Sequence, residues 1–451
     1  MRPLGAVDPD LPPVERAARL PRGFRASGSS AGIKTSGGLD LAIVLPEDGP
    51  AAVAATFTTN RLPAAPVRLN REHLAATEPG GLGGYGWTGA MMATSGCANA
   101  ATGAAGLADQ RSLAAALASA TGCSREQVLA MSTGLIGTRL PVERISGAIE
   151  AIVAGGLGRD DDAFADVAEA LRTTDSRAKV AAIRVPLPGP DSSPVEVTIS
   201  GVAKGVGMIH PNMATMLCFV LTDATAAPAT LHALLRPIVA RTWDQISVDG
   251  DQSTNDTVLL AASGAAGAVP LEADPAAAAA FARALESVAR SLARQQAADG
   301  EGATTLITCA VSGALDDAAA RAAARAVVSS DLVKAAVHGA DPNWGRIAMA
   351  VGNASLAAAA VLEAAGLAPA AARTRAGQPV ELDADRLQID IEGTPVFAGV
   401  PVAFDATDLS RRMRAADVLI RVDLGIGHGW GEAFGCDLTE QYVIENSEYS
   451  T

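Results

Sequence analysis

The chain reads as a mixed α/β protein, because short β-rich runs bounded by glycine and proline alternate with alanine-rich stretches of helical length. Its 451 residues are 49% apolar, enough to bury a large core, and the length suggests two or three domains. No GxGxxG opens a helix after a strand and no phosphate-cradling GxxxxGK motif occurs, so nucleotide-binding α/β folds are disfavoured. Taken in order, residues 1–20 carry prolines and mixed charges and read as a loosely ordered arm. LDLAIVL and AATFTTN are the first strands, and helices follow at 105–120, 141–155 and 161–173. AAIRVPL and VEVTISG are the next strands, and helices at 229–243 and 273–297 come after the apolar run LCFVLT. TLITCAV, a helix at 315–326, another at 355–366 and the strand LQIDIEG complete the pattern, with the alanine and arginine excess near 355–375 read as a surface helix and loop insertion.

Charge and composition remove several classes of function. A net charge of −14 with no basic block argues against nucleic acid, since a negative field repels phosphates. The first twenty residues have no uninterrupted apolar stretch of signal-peptide type, and no charge-free apolar run is long enough to span a bilayer. The expectation is a cytoplasmic protein without a membrane partner. Cys97, Cys123, Cys218, Cys309 and Cys436 stand singly, a spacing that suits neither a zinc site nor a disulfide framework and fits buried small hydrophobes. The five histidines are equally dispersed, so no metal is expected. His210 is the one placed near other chemistry, with a turn histidine beside Pro211 as its ordinary reading and proton transfer as the alternative.

The most informative stretch is KGVGMIHPNMATMLCFVLTDA, where a lysine and glycine-rich turn leads through Pro211 and Asn212 to Thr215, at the opening of an apolar strand. A hydroxyl held at a strained turn can attack the preceding carbonyl, here that of Ala214, and split the backbone. Thr215 would then be a new N-terminus carrying its own base. An α-amine titrates near ~7.7–8.0 against ~10.4 for lysine, so at pH 7.5 about a third of it is neutral, a gain of roughly two hundredfold or more over an unperturbed lysine. A threonine before LCFVLT also reads as an ordinary β-branched strand residue, and the local pattern leaves both readings open.

Ordered motifs along the rest of the chain decide between them by resemblance. GFRASGSSAGIK, TFTTNRLPAAPV, ATSGCANAATG at 93–103, MSTGLIG at 131–137, TTD at 173–175, ISVDGDQSTNDTVLL at 246–260, DGEGAT at 299–304, DPNWGRI at 341–347 and the terminal GCDLTEQYVIENSEYST together resemble the ArgJ family, the glutamate N-acetyltransferases also called ornithine acetyltransferases. The resemblance implies a layered sandwich of sheets between helices, related to the self-cleaving aminopeptidases. It implies cleavage between Ala214 and Thr215 into an α chain, 1–214, and a β chain, 215–451, assembling as (αβ)₂ with both pieces interleaved in one core.

The same resemblance assigns roles residue by residue. Thr215 matches the nucleophile, and Thr133 with Gly134 matches the oxyanion pair, a hydroxyl and an unhindered N–H suited to a tetrahedral intermediate. By its residues alone, STG between a helix and a β-rich run is an ordinary turn. Thr174, Lys204, Thr215, Glu301, Asn446 and Thr451 match the substrate-binding positions. Lys204 is one of only four lysines, beside Gly205 and Gly207, and offers a compact ammonium to a carboxylate, although a lysine so placed is ordinarily a solvated loop charge. Glu301, flanked by glycines, offers the charge an ammonium group needs. The aspartates of SVDGDQSTNDT fail the EF-hand template and read as structural.

The implied mechanism is ping-pong: Thr215 takes acetyl from N2-acetyl-L-ornithine and passes it to L-glutamate, with no bound cofactor and with acetyl-CoA open as a further donor. The chain departs from the family pattern at Val206, His210, Thr305 and Ala178, and in TSGCANAATG. These departures bear on substrate identity more than on catalysis, and a paralogue acting on another N-acyl amino acid stays open. A hydrolase giving the acyl-threonine to water, and an uncleaved interaction protein, are the readings from other classes.

Overall fold

Strands buried on both faces need cover on both sides, and three runs of this chain have that character. Ala51–Phe57, Thr257–Ala262 and Leu217–Thr222 are buried along their whole length. In the computed structural model, which describes residues 10–210 and 216–447, they are neighbours in a six-stranded sheet. Its order is Tyr85–Thr88, Ala51–Phe57, Thr257–Ala262, Leu217–Thr222, Pro194–Lys204, Lys179–Pro188. Leu217–Thr222 runs parallel to Thr257–Ala262, and every other neighbouring pair is antiparallel.

Alternate residues of this sheet serve two cores. Val53, Phe57, Phe219, Leu221 and Leu259 pack with Val44, Met91 and Leu129 of a four-stranded sheet, Phe24–Ser29, Leu41–Pro46, Ala90–Cys97, Val128–Leu135. Cys218, Val220, Val258 and Leu260 face the helices Pro228–Arg241 and Pro275–Ala298, meeting Leu235, Ile238, Phe281 and Leu285. The outer face of the four-stranded sheet, through Leu41, Ile43 and Met92, is covered by Gly103–Thr121 and Val142–Gly155. The layers therefore run helix, sheet, sheet, helix, the sandwich expected. Each large side chain buried between them contributes about 1.5–3 kcal/mol.

A third sheet, ordered Ile246–Ser247, Gly429–Cys436, Leu306–Ala314, Asp417–Asp423, Gln388–Ile391, Thr394–Ala398, has its own core with the helix Asp317–Val328. It joins the sandwich through Pro275–Ala298, since Phe434, Cys436 and Leu306 belong to that helix's cluster. The helix starts sharply because Asp274 accepts from the N–H groups of Ala276 and Ala277 and Pro275 opens the first turn.

Two strands from beyond residue 214, Thr257–Ala262 and Leu217–Thr222, sit side by side at the centre of this sheet between pairs of strands from before it, with Lys204 paired opposite Leu217. The 214–215 bond itself lies outside the described residues. Several expectations are corrected. Residues 10–20 are not loose: Glu15 exchanges both backbone hydrogen bonds with Ala182, and the N–H of Arg19 donates to Ser200 Oγ at 3.0 Å. The helix expected at 355–366 is present as Ala359–Ala364 and much of 355–375 is exposed, but a second helix, Pro369–Arg375, follows, and Leu362 and Ala372 are buried in the third core rather than at the surface. Helices Ala65–Thr77, Asp331–His338, Trp344–Gly352, Ala406–Arg412 and Glu440–Ser447 were not anticipated. Among the described residues no helix is long and apolar enough to cross a membrane.

Candidate active site

Thr133 and Gly134 are not in a turn but in the strand Val128–Leu135, where Gly134 pairs with Gly96 of the parallel neighbour. Gly134 has φ +126°, and a Cβ there would lie 2.3 Å from the carbonyl carbon of Gly96. Only glycine permits this approach of two backbones. Buried Thr133 precedes it, and the Lys204 ammonium donates to Thr133 Oγ1 at 3.3 Å.

Lys204 ends the strand Pro194–Lys204 and is buried, which corrects the solvated-loop reading of its charge. Its Nζ lies 3.8 Å from Asp175 Oδ2. Asp175 also accepts from the N–H of Gly205 at 2.9 Å and of Thr173 at 3.0 Å, and from Lys179 Nζ. Burial pushes the Asp175 carboxyl up, but the Lys204 and Lys179 charges and the Gly205 N–H outweigh it and hold it below the usual carboxylate range. Burial draws the Lys204 ammonium below its ordinary value, opposed chiefly by Asp175. The pair thus forms a desolvated cation whose position is fixed from behind by a committed anion.

Glu301 gathers the remaining predicted residues. Its carboxylate accepts from Thr174 Oγ1 at 2.8 Å and from Asn446 Nδ2 at 3.0 Å, and its N–H donates to the Val206 carbonyl at 2.8 Å. A Cβ on Gly207 would fall 2.2 Å from Glu301 Oε2, so the glycine seats the carboxylate directly against the turn after Lys204. The helix Glu440–Ser447 presents Asn446 and is anchored by Thr439, which donates to the Gly302 carbonyl at 2.7 Å.

Thr133, Gly134, Thr174, Lys204, Glu301 and Asn446 all line one cavity of about 250 Å³. Thr215, Ala214 and Thr451 lie outside the described residues. Met216 is described and buried, immediately before Leu217, which pairs with Lys204 in the sheet register. The cavity therefore carries a buried cation, an acid, an amide and hydroxyls, with Leu135, Ile136 and Met208 supplying an apolar wall. Such a set suits a small zwitterion with an acyl group.

Ser253, Thr254 and Asn255 also line the cavity, and sequence reasoning missed them. Asn255 Nδ2 donates to the carbonyls of Ala98 at 2.7 Å and Ser132 at 2.8 Å, holding the strand that carries Thr133. The available signal was the short polar run STND ahead of the largely apolar strand Thr257–Ala262. Asp249, in keeping with a structural role, accepts from the N–H groups of Met208 and Ile209.

The departures from pattern divide by contact. His210 Nδ1 lies 3.3 Å from Ser247 Oγ, outside the cavity lining, and burial draws its pKa down, which agrees with a turn histidine. The Val206 side chain is buried while its carbonyl receives Glu301, a contact independent of side-chain identity. Thr305 is buried with its N–H donating to Asp437 Oδ1 at 2.9 Å, and Ala178 packs against the intersheet core. Four of the five cysteines are buried, and all five are unpaired. Among the described residues no three His, Cys, Asp or Glu side chains are grouped to hold a metal ion.

Residues 25–451 match the model of the ArgJ family. The chain is 43% identical over 435 residues to the arginine biosynthesis bifunctional protein ArgJ of Thermus thermophilus, covering 96% of this chain and 100% of that one. It is 41% identical over 433 residues to the protein of that name from Deinococcus radiodurans, covering 96% and 98%. A crystal structure of arginine biosynthesis bifunctional protein ArgJ from Bacillus halodurans aligns at 38% identity with a TM-score of 0.44, over 51% of this chain and 97% of that one.

Proposed function

Because this chain belongs to the ArgJ family, we propose that it is an arginine-biosynthesis acetyltransferase which moves acetyl from N2-acetyl-L-ornithine to L-glutamate through an acyl-threonine on Thr215. The observation that carries the reading is the convergence of Thr133, Gly134, Thr174, Lys204, Glu301 and Asn446 on one cavity, beside the strand that begins two residues after Thr215.

In this reading the chain cleaves itself between Ala214 and Thr215, and the pieces 1–214 and 215–451 stay together, two of each forming the assembly. The freed α-amine of Thr215 takes the hydroxyl proton as Oγ attacks the acetyl carbonyl. Thr133 Oγ1 and the Gly134 N–H receive the negative oxygen, and Lys204, donating to Thr133, polarises that hydroxyl. Ornithine leaves as the amine collects the proton, and the glutamate amine then attacks the ester. An amide is exchanged for an amide, so no bound cofactor is required; acetyl-CoA is a candidate second donor. Glu301, held by Thr174 and Asn446, takes the substrate ammonium, with Thr451 completing the terminal segment's contribution. A cytoplasmic setting belongs to the same proposal.

Glu301→Gln is expected to raise KM for the amino-acid substrates roughly 10–100-fold with a much smaller change in kcat, the loss of one charge-assisted contact of about 1.5–3 kcal/mol. An unchanged KM would remove Glu301 from the binding role. The reading as a whole is tested by intact mass and N-terminal sequencing, followed by assay with acetylornithine and glutamate. A new terminus beginning Thr215-Met216-Leu217, with glutamate capturing acetyl, is the expected result. Release of free acetate despite glutamate makes the protein a hydrolase, and one unbroken chain in a folded sample overturns the N-terminal-threonine mechanism.

A further inference from the structure

Met216 stands where the backbone ladder of the central sheet gives out, and one side chain takes over there. The Met216 carbonyl accepts the Thr257 N–H at 3.0 Å, whereas the Met216 N–H donates to Asp256 Oδ1 at 3.0 Å rather than to a backbone carbonyl. Asp256 is fully buried, and its own carbonyl accepts the Thr58 N–H at 3.0 Å. It therefore links the end of Ala51–Phe57 to the start of Leu217–Thr222, the strands on either side of its own.

Among the described residues the second oxygen of Asp256 has no hydrogen bond of ordinary geometry, while the Ser253 and Thr58 side chains and the Lys204 charge act on the buried carboxyl from nearby. Burial pushes its pKa well above the usual carboxylate range, against the opposing hydrogen bonds of Met216, Ser253 and Thr58. The neighbouring Asn255 is committed to Ala98 and Ser132. The two adjacent residues thus tie the oxyanion strand and the residue-216 amide to one rigid piece of backbone.

We propose that Asp256 is a positioning residue for self-cleavage: by holding the Met216 amide it fixes the residue immediately after the Ala214–Thr215 bond. The inference rests on the Thr215 reading above. In the step served, the Thr215 Oγ–carbonyl bond forms as the 214–215 C–N bond breaks, and the hydroxyl proton ends on the released amine. Water then hydrolyses the ester, leaving the Ala214 carboxylate.

The test is a cell-free translation time course of the full chain, read by intact mass, with folding followed by circular dichroism. Asp256→Asn keeps an acceptor for Met216, so its cleavage rate is expected within about threefold of wild type, while Asp256→Ala slows cleavage roughly tenfold or more. Asp256→Leu, which fills the same space without an acceptor, is read in the same way should the alanine variant fail to fold. A folded alanine or leucine variant cleaving at the wild-type rate overturns the inference, as does an asparagine variant as slow as alanine, and in both cases the Thr215 reading stands. A wild-type chain that stays whole sinks both.

Discussion

Thr215→Ala is expected to give a single chain of 45.4 kDa with acetyl transfer reduced roughly 10³-fold or more, because one substitution removes the attacking hydroxyl of both the cleavage and the transfer step. Thr215→Ser retains an Oγ and is expected to cleave, so the pair separates loss of the nucleophile from loss of β-branching in the strand. In wild type, the two pieces should co-elute under native conditions. Leu217–Thr222 is flanked by Pro194–Lys204 from the first piece and Thr257–Ala262 from the second, and separation would expose Phe219 and Leu221. Transfer by the cleaved enzyme should decline on the acid side as the α-amine protonates, around pH ~7.7–8.0 before any shift imposed by its surroundings. A variant that stays unbroken yet transfers acetyl at the wild-type rate would remove Thr215 from catalysis.

Much of the sandwich was visible in the sequence because its strands are short, apolar and bounded by turn residues. LDLAIVL and TLITCAV read as strands from their apolar character between turn residues, and the structure has strands Leu41–Pro46 and Leu306–Ala314 there. The unanticipated helices have a different origin. Asp331–His338 and Trp344–Gly352 are of eight and nine residues, too short for helical periodicity to declare itself, and packing of Val333, Val337, Ile347 and Val351 into the third core decides them. Residues 10–20 read as a tail because their prolines and charges carry no strand pattern, yet Glu15 found open ladder positions at Ala182 on an edge strand.

The site divides along the same line. Positions 133, 174, 204, 301 and 446 come from separate segments with no local signature of their meeting, so family resemblance, not periodicity, named them together. Asp175 and Asn255 escaped that reading, and Asp256 entered it only as one of several structural aspartates. Their partners are backbone groups of Gly205, Ser132 and Met216, and no spacing within one segment encodes a contact made between segments. What such residues share is burial of a short polar side chain, a property visible only once the layers are assembled.

Gly134→Ala is expected to lower both stability and turnover, and for separable reasons. At φ +126° an alanine is strained, and its Cβ would sit 2.3 Å from Gly96 C and 2.6 Å from Cys97 N, backbone atoms that no rotamer change can move. Strain and overpacking together are expected to cost roughly 2–5 kcal/mol, read as a lower melting temperature. Relief requires the strands Ala90–Cys97 and Val128–Leu135 to part at Gly96, which shifts the Thr133 hydroxyl and the Gly134 N–H together. A displaced oxyanion pair is expected to reduce kcat on the order of 10²-fold, with KM changed far less because Glu301, Thr174 and Asn446 stand on other segments. Gly137→Ala is the matched control. Gly137 also has positive φ, at +86°, but a Cβ there meets nothing within 4 Å, so it should lose about 1 kcal/mol and leave kcat intact. A Gly134 variant with normal turnover would show that the oxyanion is held elsewhere; one with normal melting would show that the two strands part without penalty, against the close approach of Gly96 and Gly134.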